Sequence, residues 1–110
     1  MIGLAEAYAE GDGVPKDETE ARNWYGKAAD QGDDYSQLAL GLRCETGPGP
    51  ADFVQSYKWL ALAVKALDLS DDHHSTAADH LKSVSAKMTP AQIAEAKKLA
   101  DTWKPAPMTP

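Results

Sequence analysis

The sequence predicts an all-α fold, a right-handed α-α superhelix of about three antiparallel helix pairs. Three observations carry that expectation. The apolar residues, 43% of 110, are mostly alanine and leucine with a single phenylalanine; this mixture suits helices better than the β-branched and aromatic content of a sheet protein. The chain repeats itself at a spacing of 35 to 36 residues, the period of stacked helical hairpins. Both copies punctuate their helices alike, with glycine where one should stop and aspartate where the next should start.

The elements follow in order. A first helix is expected over about residues 2–10, stopped by Gly11, and the stretch EGDGVPKDE (Glu10 to Glu18) reads as a connector. Asp17 caps the second helix, and Glu20 stands three residues on to complete a capping box. Ala21, Trp24, Tyr25 and Ala28 recur at three- and four-residue steps and form one buried stripe. In the second copy Asp33 or Asp34 opens a helix to about Glu45, with Leu38, Leu42 and Cys44 as its apolar surface. Asp52 and Gln55 repeat the capping pattern for a helix to about Leu67, which buries Tyr57, Trp59, Leu60, Leu62 and Ala63.

The remainder predicts a third, divergent pair. Ser70 followed by Asp71 and Asp72 starts a helix with acids in its first turn, where the helix dipole favours them. Ala77, Leu81, Val84 and Met88 mark its apolar side. Thr89-Pro90-Ala91-Gln92 is a strong helix start: a capping threonine, proline at the first helical position and glutamine at the third. Ile93, Ala96, Ala100 and Trp103 face inward from the last helix. Residues 105–110 are proline-rich and are expected to be a flexible tail.

The repeat can be written residue against residue. Leu4 and Leu40, Ala5 and Gly41, Tyr8 and Cys44, Gly11 and Gly47, and Gly13 and Gly49 are each 36 apart. Beyond the connector the spacing is 35, pairing Asp17 with Asp52, Trp24 with Trp59 and Ala28 with Ala63. This pattern resembles Sel1-like repeats, a branch of the tetratricopeptide-like solenoids. The residues carrying the resemblance are Leu4, Ala5, Tyr8, Gly11, Gly13, Val14, Pro15, Asp17, Ala21, Trp24, Tyr25, Ala28, Ala29, Gly32 and Asp33. The second copy supplies Leu40, Gly41, Gly47, Gly49, Asp52, Tyr57, Trp59 and Ala63, and departs at Cys44, at Ser56 and in a shorter loop at Pro50–Ala51. AKMTPAQIAEAKKLADTW looks like the closing helix of bacterial members.

The resulting organisation is a single repeat domain over residues 1–104: repeat 1 over 1–33, repeat 2 over 34–68 and a capping helix pair over 69–104. Met1 aligns with Gln37, so repeat 1 lacks the opening turn of its counterpart, which suggests either a fragment of a longer array or self-association through an uncapped end.

Composition and motifs exclude several functions. A formal net charge of −6 opposes nucleic-acid binding, which needs clustered cations. The acids are concentrated in residues 1–52, which hold 11 acidic and 4 basic side chains. No apolar run approaches the roughly 20 residues of a membrane span, and the chain shows no signal peptide. The sequence does not name the compartment: cytoplasmic is the expectation if Met1 is the true start, while a chain cut from a longer precursor leaves periplasmic or secreted open. GDGVPKDE lacks the Lys-Ser/Thr pair of a phosphate loop and is followed by repelling acids, and Asp12 and Asp17 do not have calcium-loop spacing. Asp71, Asp72, His73 and His74, with His80 beyond, form the one metal-like cluster, but a surface helix start explains them. Cys44 occupies the position of Tyr8 and reads as a small core thiol. No nucleophile elbow surrounds any serine.

The expectation is therefore a protein–protein interaction scaffold or adaptor without catalysis, cofactor or metal. A peptide or protein segment would lie on a concave face lined by the leading helix of each pair. Glu6, Glu10, Tyr35, Gln37 and Arg43 are the expected contact residues. The alternatives are a structural unit of a longer array and, more remotely, a hydrolase as proposed for some cysteine-rich relatives. The resemblance implies adaptor roles of the kind seen in bacterial signalling, envelope or host-interaction proteins.

Overall fold

A computed structural model describes residues 2–46 and 52–105, which form six α-helices and no strand. They are α1 (Ile2–Glu10), α2 (Glu18–Asp30), α3 (Asp34–Thr46), α4 (Phe53–Ala66), α5 (Asp72–Ser85) and α6 (Pro90–Thr102). The expected Gly47 and Gly49 punctuation, the shortened loop at Pro50–Ala51, Met1 and the tail from Ala106 onward lie outside the described residues.

Local chemistry sets most of the helix ends. Gly11 stops α1 at φ +73°, and its amide donates to the Ala7 carbonyl at 2.8 Å. A Cβ there would also meet the Lys16 Cβ at 3.3 Å. Asp17 and Asp52 cap α2 and α4 by accepting from the amides of Glu20 and Gln55 at 3.2 and 3.1 Å. Each capping aspartate also donates its own amide back to the helix before it, Asp17 to the Tyr8 carbonyl at 2.9 Å and Asp52 to the Cys44 carbonyl at 2.8 Å. The repeat is thus closed twice by the same hydrogen bond, across loops of different length. Asp33, rather than Asp34, caps α3 through the Ser36 amide at 2.8 Å. At Thr89 both halves of the capping box are made, at 2.9 and 3.2 Å.

One start differs from expectation. Asp71, not Ser70, caps α5 by accepting from the His73 amide at 2.8 Å. Ser70 is held one step earlier, its amide and hydroxyl both donating to Asp68 Oδ1 at 3.2 Å.

Packing builds two hairpins, α1–α2 and α3–α4, with α2 also lying on α3. The last two helices depart from this scheme: α5 and α6 both dock on α4 rather than chiefly on each other. One core cluster joins Leu38, Tyr57, Leu60, Ala63, Ala77, Val84, Met88 and Ala96. A second joins Ala5, Tyr25, Ala29, Leu40, Cys44, Trp59 and Leu62, with Trp103 of the α6 end packed against it. Trp59 and Trp103 meet edge-on, centroids 6.2 Å apart at 76°.

Three residues of the second copy, the motif glycine Gly41 and the departures Ser56 and Cys44, are explained by packing. Gly41 lets α3 approach α4 so closely that a Cβ would lie 2.8 Å from Leu60 Cγ. The Ser56 hydroxyl, where the first copy has Ala21, donates to the Gly41 carbonyl at 2.7 Å in the buried seam. Cys44 is buried, and burial pushes its thiol above the usual range, as befits a packing residue. No helix among the described residues is long and apolar enough to cross a membrane.

Candidate protein-interaction cleft

The helices that lead each unit, α1, α3 and α5, together with Tyr25 of α2, wall a cleft of about 440 Å³. Glu6 and Glu10, one turn apart on α1, supply one wall. Tyr35, Leu38, Ala39, Leu42 and Arg43 come from α3, and His73 and Thr76 from the first turns of α5. Four of the five contact residues read from the sequence, Glu6, Glu10, Tyr35 and Arg43, therefore share one cavity.

Gln37 does not join them. It is 2% exposed and its side-chain amide donates to the Ala29 carbonyl at 3.3 Å. The side chain fills the space beneath the end of α2, so the expectation that Gln37 is an exposed contact is corrected.

The cleft's polar groups have unequal freedom. Arg43 Nη1 pairs with Glu18 Oε1 at 2.5 Å, and Glu18 Oε2 accepts from Arg22 Nε at 3.3 Å. Arg22 Nη2 in turn donates to the Arg43 carbonyl at 2.6 Å. The Arg43 guanidinium also lies 5.3 Å from the Tyr25 ring centroid. Burial raises the Tyr25 hydroxyl above its ordinary value and the charge on Arg43 opposes that rise, so the phenol stays neutral. Tyr35 is 40% exposed and meets His73 edge-on at 5.6 Å. The His73 ring is held in turn by Asp71, Nδ1 to Oδ1 3.1 Å. Glu6 and Glu10 are exposed and make no ion pair among the described residues.

The leading helix of the third pair lines the cleft with residues that the sequence does not single out as contacts, and His73, which reads there as part of a metal-like cluster, lies beside Tyr35. His80 turns away from that cluster to buried Glu45 near the end of α3, Nδ1 to Oε1 2.9 Å. Glu45 Oε2 also accepts from the Ser83 hydroxyl and the Lys87 ammonium, both at 3.3 Å. Burial works to raise the Glu45 carboxyl, but the hydrogen bonds from His80 and Lys87 outweigh it and hold the group below its ordinary value. Among the described residues no group of three or more His, Cys, Asp or Glu side chains is placed to hold a metal ion.

The Sel1 repeat family model matches residues 1–33 and 34–66, more than half of the chain. The chain belongs to the Sel1 repeat family. Sel1 repeats generally mediate protein–protein interaction, and the family is typically a non-catalytic scaffold. The fold of this Sel1 domain is similar to the crystal structure of a protective antigen present in uropathogenic Escherichia coli strains, which displays an SLR fold. The TM-score is 0.79 over 93% of this chain, at 30% sequence identity. The Sel1 domain spans 21% of that antigen's length. A search of curated proteins gives no significant match.

Proposed function

We propose that this Sel1 domain is a non-catalytic adaptor that holds a peptide or protein segment in the cleft between α1, α3 and α5. The observation that carries the reading is the character of the lining. Glu6, Glu10 and Tyr35 are exposed side chains that the core does not need, yet two separate helices bring them to one concavity. Leu38, Ala39 and Leu42 give it an apolar floor, as recognition sites for short segments require. Exposed aromatic rings beside apolar floors are where binding energy concentrates.

The test is a peptide selected from a random library, with its affinity then measured for wild type and variants. Tyr35→Ala should weaken binding by about tenfold or more, the loss typical of an aromatic anchor. Lys65→Ala, on the far side of α4, should leave it unchanged. Equal affinity for the wild type and Tyr35→Ala would sink the cleft reading.

A second reading, assembly with a further repeat or a second copy, is favoured by one contrast between the copies. Leu4 is 44% exposed while its counterpart Leu40 is 7% exposed. Trp24 is only half-buried, with Lys27 Nζ 4.3 Å from its ring centroid, while its counterpart Trp59 is covered by Trp103. Repeat 1 therefore shows water the surface that repeat 2 buries. Light scattering that gives the monomer mass at high concentration would remove self-association.

A further inference from the structure

Resting on the adaptor reading, we infer that the segment the cleft takes is basic, with an arginine or lysine side chain seated between the Glu6–Glu10 pair and the Tyr35 ring. Two carboxylates alone would define no site. Here they edge a walled cleft, and neither is ion-paired among the described residues.

Arg43 is the one Lys or Arg among the described lining residues, and it is held at 2.5 Å by Glu18, a carboxylate that it shares with Arg22. Its other neighbours, the Tyr25 ring and Arg22, hold the guanidinium against the α2 wall. His73 Nδ1 lies 3.1 Å from Asp71 Oδ1 and is engaged there. Glu6 and Glu10 are the carboxylates of the lining, on successive turns of one helix face, and neither has an ion-pair partner among the described residues. An apolar or acidic segment covering them would strand or repel two carboxylates, at a cost that a bound cation removes.

The aromatic lining points the same way. The cleft already stacks one guanidinium on Tyr25, which shows that its rings accept cations in this geometry. Tyr35 offers a second ring with no cation on it among the described residues. A cation that reaches both a carboxylate pair and an aromatic face is favoured over a neutral side chain of equal size. The field of the surrounding half-chain adds steering, since residues 1–52 carry 11 acidic against 4 basic side chains.

The experiment selects phage-displayed random short peptides on the wild-type domain, removes those that also bind Tyr35→Ala, and measures the survivors by fluorescence anisotropy. Recovered peptides are expected to be rich in arginine or lysine. Replacing those residues with citrulline or norleucine should weaken binding by about tenfold, as should Glu6→Gln combined with Glu10→Gln. That double variant should also flatten the loss of affinity between about 50 and about 300 mM salt. Both positions are exposed, so an unchanged thermal melt will confirm that the variant is folded. Tyr35-dependent peptides that lack basic residues, or that ignore the glutamate changes, overturn the basic-segment inference and leave the adaptor reading standing. Recovery of no Tyr35-dependent peptide overturns both.

Discussion

Glu45 should act as the fastener between the second repeat and α5, and its loss can be worked out from the structure. The side chain is 2% exposed at the end of α3, and all three of its donors belong to α5 or the turn after it. Hydrogen bonds to a charged group contribute about 1.5–3 kcal/mol each. His80 and Lys87 are partly exposed and recover water when released, and the buried carboxylate itself carries a desolvation cost. Glu45→Gln, which keeps the volume, should therefore cost about 2 kcal/mol at neutral pH rather than the full sum.

The pH dependence sharpens the test. A carboxyl held below its ordinary value of 4.5 contributes stability that is fully present above that pH and is lost as pH falls through the lower folded value. Urea unfolding followed by circular dichroism should show the wild-type advantage over Glu45→Gln at neutral pH, fading below about 4.5. Combining His80→Ala with Lys87→Ala leaves the carboxylate buried without its cations, so desolvation acts alone and raises its pKa. This double variant should cost about 3 kcal/mol or more at neutral pH and should recover stability relative to wild type on mild acidification, the opposite slope. The reasoning is refuted if Glu45→Gln stays within about 0.5 kcal/mol of wild type at neutral pH, or if the double variant's pH profile runs parallel to that of wild type.

Two further predictions concern the packing that presents the cleft. Gly41→Ala would put a methyl 2.8 Å from Leu60 Cγ and 3.2 Å from the Leu60 amide nitrogen. Overpacking of about 1–3 kcal/mol should exceed the helix-propensity gain of about 1 kcal/mol, lowering the melting temperature; an unchanged or higher melting temperature would contradict so close a seam. Trp103→Ala removes the edge-on contact with Trp59 and should cost about 2 kcal/mol. Hydrogen exchange should then speed up selectively in α6, whereas uniform exchange across all helices would count against α6 docking as a unit on α4.

How much of this was legible in the sequence depends on how far apart the deciding groups lie. Asp17, Asp52 and Thr89 fix helix starts through partners three residues away, so a local reading finds them. Ser70 and Asp71 are neighbours of similar capping ability, and the choice fell to Asp68, which engages Ser70. The sharing of one cleft by Glu6, Glu10, Tyr35 and Arg43 follows from the repeat, which puts them on successive leading helices. Gln37 sits on the same helix but one step round, against the Ala29 carbonyl, and no local pattern reports that. Glu45 meets its donors 35, 38 and 42 residues away, which periodicity does not reveal. The docking of α6 on α4 is of the same kind, since the stripe of Ile93, Ala96 and Ala100 shows that a face is buried but not against which helix.

The central claim, that the cleft of the leading helices is the recognition surface, is tested most directly by amide chemical-shift mapping during titration with a selected peptide. Saturable shifts are expected to concentrate at residues 6–10, 35–43 and 73–76. Shifts centred on Leu62, Ala100 and Trp103 across α4 and α6, with Glu6, Tyr35 and His73 unmoved, would contradict it.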